Sequence, residues 1–110
     1  MNNEINSYLN YIFEDYKTWS RPGDAYDEVS RSVRERMTKE FANKLTFKEG
    51  SKYIKVISGS SVHSFIVKED GKKFKKGDIL KAASWNAPAT NFARGNILTF
   101  FYGRIRWTGA

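Results

Sequence analysis

The chain predicts an α+β fold: two N-terminal helices packed on a small antiparallel sheet, or open barrel, of four to five strands. Three observations carry this. The first forty-five residues repeat their apolar side chains with a helical period. The period then changes to β-branched alternation. Gly, Asp and Ser pairs punctuate the second half at intervals that suit hairpins.

In the first helix, Ile5, Tyr8, Leu9, Ile12, Phe13 and Tyr16 form one stripe. It should end near Trp19, before the breaker Arg21-Pro22-Gly23. Asp24 is the expected N-cap of the second helix, with Asp27 three residues on adding negative charge at the positive helix end. Tyr26, Val29, Val33, Met37, Phe41 and Leu45 form its stripe, over about Ala25 to about Lys44. Asp24, Asp27 and Glu28 could also hold a hard cation, but capping accounts for them without one.

Lys52-Tyr53-Ile54-Lys55-Val56-Ile57 and Val62-His63-Ser64-Phe65-Ile66-Val67 read as a hairpin closed by Ser58-Gly59-Ser60-Ser61. Asp70-Gly71 and Gly77-Asp78 mark turns around Lys72-Lys73-Phe74-Lys75-Lys76, drawn as an extended hairpin. Residues 81–95 read as an ordered loop. Asn96 to Tyr102 reads as a strand, and Arg104 to Trp107 as its continuation or return past Gly103. All 110 residues are expected in one domain, helical over about 1–45 and basic and β-rich over about 50–110.

Composition narrows the function classes. Phe 8, Tyr 6 and Trp 3 supply a core, against disorder. With no Cys and a single His, neither a disulfide framework nor a Cys/His metal site is expected. No apolar run approaches a membrane span, and the start lacks the basic and apolar regions of a secretory signal. A soluble cytoplasmic protein without cofactor or metal is the expectation. The formal charge of +7 is not evenly spread. Residues 1–50 hold eight basic and nine acidic side chains, and residues 51–110 hold eleven and three. Such asymmetry suits nucleic acid or an acidic partner, although Lys-rich turns also serve solubility.

Catalysis finds little support. His63 is the only imidazole, placed mid-strand on the pleat face of Phe65 and Val67, with no partner carboxylate at a telling spacing. No Gly-x-Ser-x-Gly, phosphate-binding Walker loop or Gly-x-Gly-x-x-Gly occurs. No enzyme is expected. Binding has better candidates. Lys72, Lys73, Lys75 and Lys76 cluster around Phe74, with Lys81 beyond. Tyr102, Arg104 and Arg106 share strand parity, which would line an aromatic ring with guanidinium groups. The segment Trp85 to Asn96 places Trp85, Asn91, Phe92 and Arg94, residue types suited to interfaces, in a long loop.

The blocks Phe74-Lys75-Lys76-Gly77-Asp78-Ile79-Leu80-Lys81-Ala82-Ala83-Ser84-Trp85, Asn91-Phe92-Ala93-Arg94-Gly95-Asn96-Ile97 and Trp107-Thr108-Gly109, with the two hairpin strands, resemble a group of small uncharacterised proteins of tailed bacteriophages. The resemblance covers about residues 50–109. It implies a context: a phage accessory protein in the cytoplasm of an infected bacterium. Proteins of that kind commonly bind DNA or RNA, or bind and modulate a host protein. The expected function is non-enzymatic nucleic-acid binding through the basic, aromatic-containing β-rich surface. The alternative is docking to an acidic host protein through the Trp85 to Asn96 loop.

Overall fold

The computed structural model describes residues 1–20 and 27–110. Helix α1 runs Asn2–Ser20 and buries Ile5, Tyr8, Ile12 and Tyr16. These lie three or four residues apart, so one stripe faces inward. Helix α2 runs Glu28–Lys44. Asp27 caps it, accepting the Ser30 N–H at 2.7 Å and the Ser30 hydroxyl at 3.3 Å. Those bonds stabilise the charged carboxylate and pull its pKa down. The expected cap Asp24 and helix start at Ala25 lie outside the described residues.

Strands β1 (Leu45–Glu49), β2 (Tyr53–Ser58), β3 (Ser61–Val67), β4 (Asp78–Lys81) and β5 (Gly95–Asn96) form one open antiparallel sheet in chain order. This is the expected α+β class, and both helices lie on the same side of the sheet. On that side Ile54, Val56, Ile66 and Ile79 meet Ile5, Tyr8 and Ile12, closed by Ile97 and Ile105. On the opposite side Phe65, Val67 and Leu80 form a smaller cluster, covered only by loop residues and strand edges such as Phe74 and Ala93. The period-2 alternation of β2 and β3 thus feeds two cores.

Four sequence expectations change. First, β1 was not expected: its residues Thr46, Lys48 and Glu49 do not look like a strand, but β2 pairs with them from Leu45↔Ser58 to Glu49↔Ile54. Second, residues 97–110 add no long strand. Phe100 and Gly103 take positive φ, 54° and 56°, and the chain reverses through a turn over residues 97–100. It then folds back over α1, where the Tyr11 hydroxyl donates to the Ile105 carbonyl and the Trp107 N–H donates to Asp15 at 2.8 Å. Third, Lys72 to Lys76 form an irregular loop rather than a hairpin. The Asp70 carboxylate accepts the Lys76 N–H, and Asp78 accepts the Lys75 N–H. Fourth, α2 does not lay its stripe on the sheet. Val29, Val33 and Met37 are exposed, and only its C-terminal end, through Phe41, reaches the core. No helix among the described residues is long and apolar enough to cross a membrane.

Candidate nucleic-acid interface

The side of the sheet away from the helices carries the most promising surface. A depression of about 460 Å³ lies between the β2–β3 strand ends and the loop of residues 68–74, with Tyr53 and Phe74 among its lining. A second, of about 240 Å³, runs beside Lys48, Lys55 and Phe65. Both are lined by Ser51, Lys52 and Tyr53, so they join into one groove. The strand period explains the placement. Tyr53 lies on the pleat face opposite Ile54 and Val56, which point at α1. Tyr53 and Phe65 meet edge to face, with centroids 5.9 Å apart.

Six lysines border the groove: Lys48, Lys52, Lys55, Lys68, Lys72 and Lys73. The carboxylates there are Glu49, Glu69 and Asp70. Glu49 is engaged by Lys68 at 3.2 Å, and Asp70 holds the Lys76 N–H. The groove therefore keeps a positive balance. Lys55 is steered by the excursion between β4 and β5. Its Nζ sits 4.6 Å from the Trp85 ring centroid and donates to Asn86 at 3.3 Å. That excursion is a local turn, in which the Ala83 and Ser84 N–H groups share the Ala87 carbonyl and the Ala89 N–H donates to Lys81. Lys73 donates to the Thr90 carbonyl and lies over the Phe74 ring.

The residues singled out from the sequence do not form one surface. Lys72, Lys73 and Trp85 border or flank the groove. Lys75, Lys76, Lys81 and Asn91 are exposed outside it, and the Asn91 side chain caps the Phe92 N–H. The shared strand face of Tyr102, Arg104 and Arg106 does not exist, because Gly103 breaks the pleat. Tyr102 packs against Tyr8 and Tyr11, and burial raises its hydroxyl pKa. It is not free to stack on a base. Arg106 pairs with Asp15 at 3.5 Å beside α1. Arg94 and Arg104 line a separate cleft. Tyr53, Lys48, Lys52, Lys55 and Lys68 were missed. The alternation of Lys52 to Ile57 already put Tyr53 and Lys55 on one face, and only the side taken by the helices was unknown.

His63 is displaced from its expected face by a bulge. Val56 pairs with Ser64 and Ile57 with Val62, leaving His63 as the extra residue. It is buried, 4 % exposed, with Nε2 2.7 Å from the Arg106 carbonyl. A carbonyl only accepts, so Nε2 carries the proton. In the neutral ring Nδ1 is then the acceptor for the Ser64 hydroxyl at 2.9 Å, and Ser64 accepts from the Tyr8 hydroxyl at 2.8 Å. Each polar group is used within the fold. Burial pushes the His63 pKa below its ordinary 6.5. In the window below that value the unfolded chain binds the proton more readily, so stability should fall as pH drops from about 7.5 to about 5.5. The urea midpoint should therefore be lower at the acid end, and less so in His63→Gln. An equal acid loss in that variant would assign the dependence to other groups.

Among the described residues, no three His, Cys, Asp or Glu side chains are grouped to hold a metal ion. No curated protein and no solved structure matches this chain. A family model covers residues 9–109, and the chain belongs to the family it defines, described as "Family of unknown function (DUF7717)".

Proposed function

We propose that the protein binds single-stranded nucleic acid without catalysis, along the helix-free groove of its sheet. The observation that carries this is an aromatic floor, the half-buried Tyr53 and Phe74 backed by the buried Phe65, inside a lysine border on the sheet face that no helix covers. Lysines track phosphates, while an exposed ring edge or face receives an unpaired base. A duplex hides its bases and would meet only the lysines. In the setting implied by the bacteriophage resemblance, the ligand would be met in the cytoplasm of an infected bacterium.

The test is fluorescence anisotropy with a labelled single strand of about ten nucleotides, DNA and RNA in parallel, across a salt series. Three or four phosphate contacts predict a log–log salt slope of about −2 to −3. Tyr53→Ala and Lys55→Ala should each weaken binding about tenfold, since a stacked base is worth about 1–3 kcal/mol. Binding that ignores both substitutions, or is absent at low salt, would overturn the reading.

A second reading is docking to a host protein. It draws on Leu98, Phe100 and Phe101, which are exposed together around one turn, with Phe100 held at positive φ. A discrete protein partner that survives nuclease treatment and is lost in Phe100→Ser would favour it.

A further inference from the structure

The cleft beside β5 differs from the groove in chemistry. It has a volume of about 440 Å³ and is lined by Phe92, Ala93, Arg94, Gly103, Arg104 and Ile105, together with Ala110. No acidic side chain lines it. Neither the Arg94 nor the Arg104 side chain makes a hydrogen bond or ion pair among the described residues, although the Arg94 backbone N–H donates to the Ile79 carbonyl at 2.7 Å. Arg94 is held in place by stacking, its guanidinium carbon 3.9 Å from the Phe92 ring centroid. Its Nε is shut off from solvent and has no acceptor. A buried donor of this kind is uncommon, and it leaves the terminal nitrogens of the guanidinium as the donors available to the cleft.

The backbone adds a second, independent feature. Gly103 has φ 56°, and a Cβ there would lie 2.7 Å from the Arg94 carbonyl oxygen. The two arginine-bearing segments therefore touch through their backbones, which brings both side chains to one cleft. The N–H groups of Gly103 and Arg104 also make no hydrogen bond among the described residues. Successive free N–H groups at a left-handed glycine form an anion-binding concavity.

We propose that this cleft binds a phosphate monoester, with the Arg94 and Arg104 guanidinium groups and the free N–H groups at Gly103 and Arg104 as its donors. A planar guanidinium pairs with two phosphate oxygens at once, and the phosphate brings several acceptors to two guanidinium groups that have no hydrogen-bonded partner among the described residues. The group could be the terminal phosphate of a polynucleotide or belong to a free small molecule. The proposal is independent of the groove, because none of its residues lines that surface.

Calorimetric titration of the full chain with inorganic phosphate at fixed ionic strength tests it. Saturable binding is expected, weakened about tenfold in Arg94→Gln and in Arg104→Gln, as expected when a charge-assisted hydrogen bond is lost. Arg104 is exposed, so its variant should fold as the parent does. Tyr53→Ala should bind phosphate unchanged, which separates this site from the groove. A 5′-phosphorylated dinucleotide binding more tightly than both its 5′-hydroxyl counterpart and inorganic phosphate supports the site and names a polynucleotide end as the source. Equal binding of phosphate and the phosphorylated dinucleotide supports a site for free monoesters. The absence of saturable phosphate binding, or affinity unaltered in both arginine variants, would overturn the proposal.

Discussion

Gly95→Ala is expected to destabilise the fold by about 3 kcal/mol, the range in which overpacking becomes severe. Gly95 is buried on β5, opposite Ile79. A Cβ there would stand 2.3 Å from the Phe101 carbonyl oxygen and 3.3 Å from the Tyr102 Cα. These are backbone atoms and cannot swing aside as a side-chain tip would. Relief requires β5 to part from residues 101–102. That motion would break the reciprocal bonds between Asn96 and Phe101, 2.8 and 3.1 Å long. It would also loosen Tyr102 from Tyr8 and Tyr11. Gly71→Ala is the control. Its nearest neighbour to an added Cβ is 3.7 Å away and its φ is not in the positive range, so the change should stay within about 0.5 kcal/mol. Urea unfolding followed by tryptophan fluorescence compares the two. Equal stability of the two variants would mean that β5 and residues 101–102 are not packed as described.

Tyr8→Ala should cost about 4 kcal/mol, the usual loss for a large buried aromatic side chain. Tyr8 has no exposed surface and sits where α1, β3 and the C-terminal segment meet. The ring loss and the polar loss can be separated. Tyr8→Phe keeps the ring and removes the hydroxyl that Ser64 accepts, leaving one end of the Tyr8–Ser64–His63 chain unsatisfied. It should cost about 1–2 kcal/mol. Tyr8→Phe combined with Ser64→Ala should cost less than the sum of the single changes, because both remove the same bond. Strict additivity would show that the hydroxyls are not coupled.

Much of this was legible in the residues. The 3.6-residue stripe of α1 names its buried positions, because a helix presents every third or fourth side chain to one side. The β2–β3 hairpin is equally plain, since Gly59 takes positive φ at the expected turn. The excess of lysine and arginine falls after residue 50, in the part of the chain that supplies most of the groove lining and all of the arginine cleft. These features are local, governed by periodicity, turn conformation and composition.

The rest depended on contacts between residues far apart in sequence. Leu45–Glu49 is a strand because β2 offers it an edge, which propensity does not encode. The bulge at His63 turns that ring toward Tyr8, fifty-five residues away. Tyr102 belongs to the tyrosine cluster under α1 because two positive-φ residues, Phe100 and Gly103, flank its segment and break the expected strand. Alternation alone put Tyr53 and Lys55 on one face of β2. It left undecided which face the helices would cover, and that choice makes the Tyr53 face the open one. Sequence by itself determined the two helices, the β2–β3 hairpin and the sign of the surface. Tertiary packing decided which cationic and aromatic side chains stand together, because a side chain's neighbours across a sheet are set by register and by the covering helix rather than by its neighbours along the chain.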